Sequence, residues 1–271
     1  MKTQTSNARR LTESALMIAL AVLLGFVKLV DLPYGGSITM ASMVPVILVA
    51  YRHGTPWGLL TGLVYSLIEF VLGSGVLSYA TSAAAAVAIV LLDYILAFTA
   101  VGLGSIFRGK LNNSAAVGAG TLVVCLVRYL MHVISGCTVW AGLSIPTGDA
   151  LIYSVIYNAT YMLPETIVAI LAAVYVSSLI DFTKVNLAPA AKEDNSRVSR
   201  LLTAVSSLAI IVGLIVIVAL VFSRLQNPET GSFDITGIHN VNGTALIVTV
   251  VVTALVSATT FFTGKVIGKK A

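Results

Sequence analysis

Residues 128–143 read RYLMHVISGCTVWAGL. They place Arg128 and His132 one helical turn apart, with Trp140 just beyond, in a chain made mostly of Leu, Val, Ile and Ala. Of its 271 residues, 58% are hydrophobic and 10% charged, and the mean hydropathy is +0.98. No water-soluble domain of this size has that composition. Several apolar runs of about 18 residues or more mark an all-α, polytopic helical membrane protein. The runs are continuous rather than alternating, which argues against a β-barrel. In hydrocarbon, Arg128 and His132 are expensive groups that need partners or a ligand.

Working outward from this stretch, the hydropathy pattern predicts eight helices, over 10–30, 38–51, 56–73, 82–107, 115–136, 149–180, 199–223 and 244–264. The second and third are short for full spans, so they are tilted or partly covered by protein. With the N-terminus placed in the cytoplasm, one side of the membrane gathers nearly all of the 16 Lys and Arg. The exceptions are Arg224 on the other side and Lys28 and Arg128 within helices. That asymmetry predicts eight spans with both termini inside. It also accounts for the net charge of +5 without invoking nucleic acid. No cleavable signal peptide is evident, because NARR runs straight into a long apolar segment.

The polar stretch DFTKVNLAPAAKEDNSRVSR reads as a cytoplasmic linker. It divides a six-helix domain (1–184) from a two-helix C-terminal extension (199–271), with the linker over 185–198. In this topology the loops near 31–37, 74–81 and 137–148 face outward. Asp93, Tyr94, Arg128, His132, Tyr153 and Asn158 lie below them, in a pocket open to the outside.

Asp93 in IVLLDYILAF needs a cation, a donor or water beside it. One reading is a structural salt bridge to Arg128; the other is a carboxylate that recognises a cationic or donor-rich ligand. His132 reads as a core histidine or a ligand contact, and Trp140 as an interfacial belt residue or an aromatic face for a flat cation. IYSVIYNATYMLPET brings Tyr157, Tyr161 and Glu165 to one face, and Asn158 offers both a donor and an acceptor. Glu69 is a further membrane acid without a clear partner. Cys125 and Cys137 suggest neither a disulfide framework nor a metal site, and His53, His132 and His239 lie too far apart to make a metal set. No H-E-x-x-H, G-x-S-x-G or P-loop is present, so uphill transport would draw on a gradient or a partner.

The stretches GGSITMASMVPVILVAYRHG, WGLLTGLVYSL, LLDYILAFTAVGLGSIFR, RYLMHVISGCTVW and YSVIYNATYMLPE together resemble the thiamine-specific S component of energy-coupling factor transporters, from about residue 8 to 182. The resemblance implies a six-helix, substrate-binding membrane subunit without its own ATPase, and no cofactor. It also implies thiamine as ligand, and a membrane T component and two cytoplasmic ATPases as partners. Carried over by motif, the ligand-binding positions are Asp93, Tyr94, His132, Trp140, Tyr153 and Asn158. Tyr34 stands where some members carry a loop tryptophan, and Tyr79 is a further candidate in the loop over 74–81. Ala15 and Ala19, spaced i, i+4 on helix 1, match the small-residue face that meets the T component. The competing expectations are an S component for another vitamin or pyrimidine precursor, an intramembrane enzyme using Asp93, His132 and Glu165, and a structural scaffold. The last two helices lie outside the resemblance.

Overall fold

The computed structural model describes residues 6–142, 147–190, 197–225 and 235–270. The chain forms two compact units, Met1–Ala190 and Ala191–Ala271. Among the described residues, six helices are long and apolar enough to cross a membrane: Thr55–Tyr79, Ala83–Ser105, Asn113–Val139, Ala150–Leu179, Arg197–Leu225 and Gly243–Gly268.

In the first unit, α1 (Asn7–Phe26) starts at Ser6, whose hydroxyl accepts from the Arg9 N–H at 3.3 Å and so satisfies one orphan donor of the first turn. The predicted helix over 10–30 ends four residues early. Lys28 is not in a helix but on strand β1 (Lys28–Asp31), which pairs antiparallel with β2 (Ser37–Thr39). The turn between them, Pro33–Gly35, holds Tyr34 at φ 65 and Gly35 at φ 90. A left-handed tyrosine is strained, and such strain concentrates at functional positions.

Helix α2 (Val44–His53) then begins six residues later than the sequence suggested, with Pro45 in its first turn where a missing N–H costs nothing. It has 10 residues, and Val44 to Arg52 are all buried. This short helix is sheathed by protein rather than lipid. Gly54 stops it at φ 92, a conformation that favours glycine, and α3 (Thr55–Gly73) starts at once.

The span Ala83–Ser105 is not a uniform helix. Short α4 (Ala83–Ala88) leads into a π-helical stretch, Ile89–Leu96, then into α5 (Ala97–Thr99) and a 3-10 stretch, Ala100–Ser105. Its 3-10 end packs backbone to backbone. A Cβ on Gly102 would run into the Leu59 nitrogen, and one on Gly120 into the Gly104 carbonyl oxygen. Helices in lipid gain attraction through such close approach, since there is no hydrophobic drive between them.

The longest helices, α6 (Asn113–Gly142) and α7 (Thr147–Leu179), run antiparallel. Hydrogen bonds cross between them: Ser154 Oγ donates to the Val133 carbonyl at 2.7 Å and Tyr129 to the Val155 carbonyl at 2.9 Å. A two-residue strand pair, β3 (Ile180–Asp181) with β4 (Ala188–Pro189), follows α7.

In the second unit, α8 (Arg197–Leu225) and α9 (Gly243–Lys270) pair through Ser206, whose hydroxyl lies 2.9 Å from the Ser257 carbonyl. Gly213 sits against Thr253, leaving no room for a side chain.

Candidate binding cavity

The hairpin, α1, α3, the π-helical stretch, α6 and α7 enclose a cavity of about 340 Å³. The π-helical stretch carries Asp93 and Tyr94. Each π turn inserts a residue relative to the α register and redirects the side chains that follow, a device common at functional sites.

Asp93 reaches α6. Its Oδ1 lies 2.8 Å from His132 Nδ1, and its Oδ2 accepts from the Ser135 hydroxyl at 2.7 Å. A carboxylate on Nδ1 sets the imidazole so that Nδ1–H donates and Nε2 is the free acceptor. Nε2 is buried and has no hydrogen-bond partner among the described residues, although His132 lines the cavity. Buried polar atoms are nearly always satisfied, so this atom is suited to a ligand.

Arg128, one turn deeper on α6, does not pair with Asp93 as one sequence reading had it. Its Nη1 lies 3.8 Å from Glu165 Oε2, and its guanidinium stands 4.5 Å over the Phe98 ring. It also contacts the Met43 sulfur. Thr39 Oγ1 donates to Glu165 Oε1 at 2.9 Å. The reason is axial distance: four residues of helix rise about 6 Å, which puts His132 level with Asp93 and Arg128 level with Glu165.

Asn158 is more fully engaged than its expected ligand role implied. Its Nδ2 donates to the Ser154 carbonyl at 2.8 Å and the His132 carbonyl at 3.3 Å, and its Oδ1 accepts from Tyr161 at 2.6 Å. It clamps α6 to α7 and holds the backbone of His132, and it lines the cavity as well. Tyr94 presents its ring to the cavity while its hydroxyl donates to the Gly73 carbonyl at 2.8 Å.

Tyr34 and Tyr79 meet edge to face at 5.1 Å at the mouth, and Tyr34 lies 6.3 Å from Tyr157. Tyr157 continues to Tyr161 at 5.7 Å, and Tyr161 to His132 at 6.5 Å. This run of rings from rim to imidazole suits a flat cation. The Gly36 N–H donates to the Tyr157 hydroxyl at 3.0 Å, and a Cβ on Gly36 would lie 2.9 Å from the Tyr161 ring. Glycine there lets the hairpin close onto α7.

The residues expected at the site divide three ways. Asp93, Tyr94, His132, Asn158, Tyr34 and Tyr79 line one cavity. Tyr153 is half-buried on α7 and is not among the lining residues. Trp140 lies on the last turns of α6, with its side chain outside the described residues. The sequence assigned no site role to Glu69, Ser135 or Thr39. Glu69 was visible as a membrane acid, whereas hydroxyl residues in an apolar helix give no signal of their own.

The family model described as thiamine transporter protein (Thia_YuaJ) matches residues 11–184. The chain is 35% identical over 178 residues to the thiamine transporter ThiT of Bacillus subtilis (strain 168), a match that covers 61% of this chain and 88% of that protein. A solved structure of ThiT from Listeria monocytogenes superposes with a TM-score of 0.51 at 23% identity, over 62% of this chain and 93% of that one, and so shares the fold. With the family match over 11–184 containing every residue that lines the cavity, the chain belongs to the thiamine transporter family.

Proposed function

We propose that this chain is the substrate-binding component of thiamine uptake and takes its ligand in the cavity between the hairpin and α7. The observation that carries the reading is the Asp93–His132 pair, with an unpartnered imidazole nitrogen beside a row of tyrosines. Thiamine combines a flat cationic ring with an aminopyrimidine. The Asp93 carboxylate sets the imidazole and lends the cavity negative character, the rings answer the flat faces, and Nε2 answers an N–H donor. Family membership makes the chain a transporter rather than an enzyme. Calorimetric titration of the purified protein with thiamine, its phosphates, its pyrimidine precursor and riboflavin tests this. Thiamine is expected to bind at one site per chain and riboflavin not at all; heat from riboflavin alone would overturn the reading.

The chain carries no nucleotide motif, and its expected partners are a membrane T component and two cytoplasmic ATPases. Ala15 and Ala19 are both exposed on α1, with Leu11, Leu16 and Leu23 around them. This face is small-residued and apolar, as helix docking in lipid requires. Replacing both alanines with leucine should abolish ATP-driven uptake in cells supplied with the partner subunits and leave thiamine affinity unchanged. Equal loss of binding would remove α1 as a docking face. The gathering of nearly all Lys and Arg on one side supports cytoplasmic termini and a cavity that opens outward.

A further inference from the structure

The cavity holds a third acid that the Asp93–His132 pair does not use. Glu69 of α3 lines the same space. Its Oε1 reaches across to α1, 3.9 Å from where a side chain on Gly25 would begin. The other acids are engaged: Asp93 by His132 and Ser135, and Glu165 by Arg128 and Thr39. Lys28 at the rim is held by Asp31 at 3.0 Å. Among the described residues Glu69 has no salt-bridge partner, and its neighbouring donor is the uncharged Tyr65 hydroxyl. Apolar Val22, Phe26 and Leu72 line the wall with it.

The charge of Arg128 bears on Glu69, but its guanidinium is already paired with Glu165. A carboxylate in such a wall without a salt-bridge partner is costly, and a cation arriving within a few ångströms relieves that cost through a weakly screened attraction. A second ionic group bears on the same cavity. Among the described residues the Arg128 Nε is buried without a partner, on a side chain only 6% exposed, so polar capacity remains there beyond the Arg128–Glu165 pair.

We propose that Glu69 is a specificity-determining residue that supplies the counter-charge for the cationic ring of the ligand, while Asp93 and His132 serve its hydrogen-bonding end. The proposal rests on the thiamine reading and divides the work between two carboxylates of one cavity. It makes Glu69 selective for charge rather than for shape.

The test compares thiamine with its neutral isostere, in which carbon replaces the thiazolium nitrogen. Both are titrated calorimetrically into full-length wild-type protein and into the Glu69→Gln variant, with melting temperatures measured alongside. Glu69→Gln should weaken thiamine binding about tenfold or more, equivalent to about 1.4 kcal/mol, and change the affinity of the neutral isostere less than about threefold. Glu69→Asp, which keeps the charge, should recover part of the loss. If both ligands weaken equally, or neither weakens, Glu69 is not the counter-charge. If wild-type protein binds thiamine but the Glu69→Gln variant keeps the wild-type preference for thiamine over the neutral isostere, this proposal alone falls. If wild-type protein binds neither ligand, the thiamine reading falls and takes the proposal with it.

Discussion

Asp93→Asn is expected to weaken thiamine binding about tenfold or more while leaving the melting temperature close to that of the wild type. The asymmetry follows from the two hydrogen bonds that Asp93 accepts. One comes from His132 Nδ1 at 2.8 Å and the other from the Ser135 hydroxyl at 2.7 Å. An asparagine oxygen can still accept from Ser135. In that orientation its amide donates to Nδ1 and the imidazole takes the other tautomer. No buried group is stranded, so stability holds. The atom left for the ligand changes character, however: Nε2 becomes a donor where it had been an acceptor. A negative charge also leaves the cavity. Losing one buried hydrogen bond to the ligand costs about 1–3 kcal/mol, and more where a charge is involved. Ser135→Ala removes one anchor of the carboxylate and neither the charge nor the tautomer, so its effect should be smaller. Calorimetry on folded variants makes the comparison, and thiamine affinity within about twofold of wild type in Asp93→Asn would remove Asp93 from the site.

Much of this architecture is legible in the sequence, because the signal of a membrane helix is long and local. The apolar runs over α3 and α6 to α9 were readable from hydropathy alone. What escaped depends on partners distant in sequence or on small changes of register. The β1–β2 hairpin is only a few residues per strand and exists because it folds over α7, where Gly36 meets Tyr157 and Tyr161. The π-helical stretch around Asp93 has the same apolar composition as an α-helix, so periodicity cannot reveal it. Helix spacing put Arg128 and His132 on one face and Tyr157, Tyr161 and Glu165 on another, and all five reach the cavity. Spacing could not say which acid meets which base, since that depends on the axial alignment of α6 with α7. Asn158, proposed from its chemistry as a ligand group, turned out also to be the clamp that sets this alignment.

That alignment also makes Arg128 a residue whose loss should cost much stability. Arg128→Met keeps the length and apolar stem of the side chain but removes the cation 3.8 Å from Glu165. Glu165 is 4% exposed and, among the described residues, would keep only its hydrogen bond from Thr39. Breaking a buried ion pair from one side costs about 3–5 kcal/mol, because the remaining charge is left uncompensated. The variant should therefore melt well below the wild type in detergent, or fail to accumulate as folded protein. Arg128→Lys restores the charge but not the flat guanidinium over Phe98, so it should recover only part of the loss. The decisive variant is the double substitution of Arg128→Met with Glu165→Gln, which removes both charges at once. If the cost lies in the stranded carboxylate, the double variant should be more stable than Arg128→Met alone, and the coupling energy of the cycle measures the pair directly. A single variant as stable as wild type, or a double variant no better than the single, would show that Arg128 is held by packing on Phe98 and Met43 rather than by its charge.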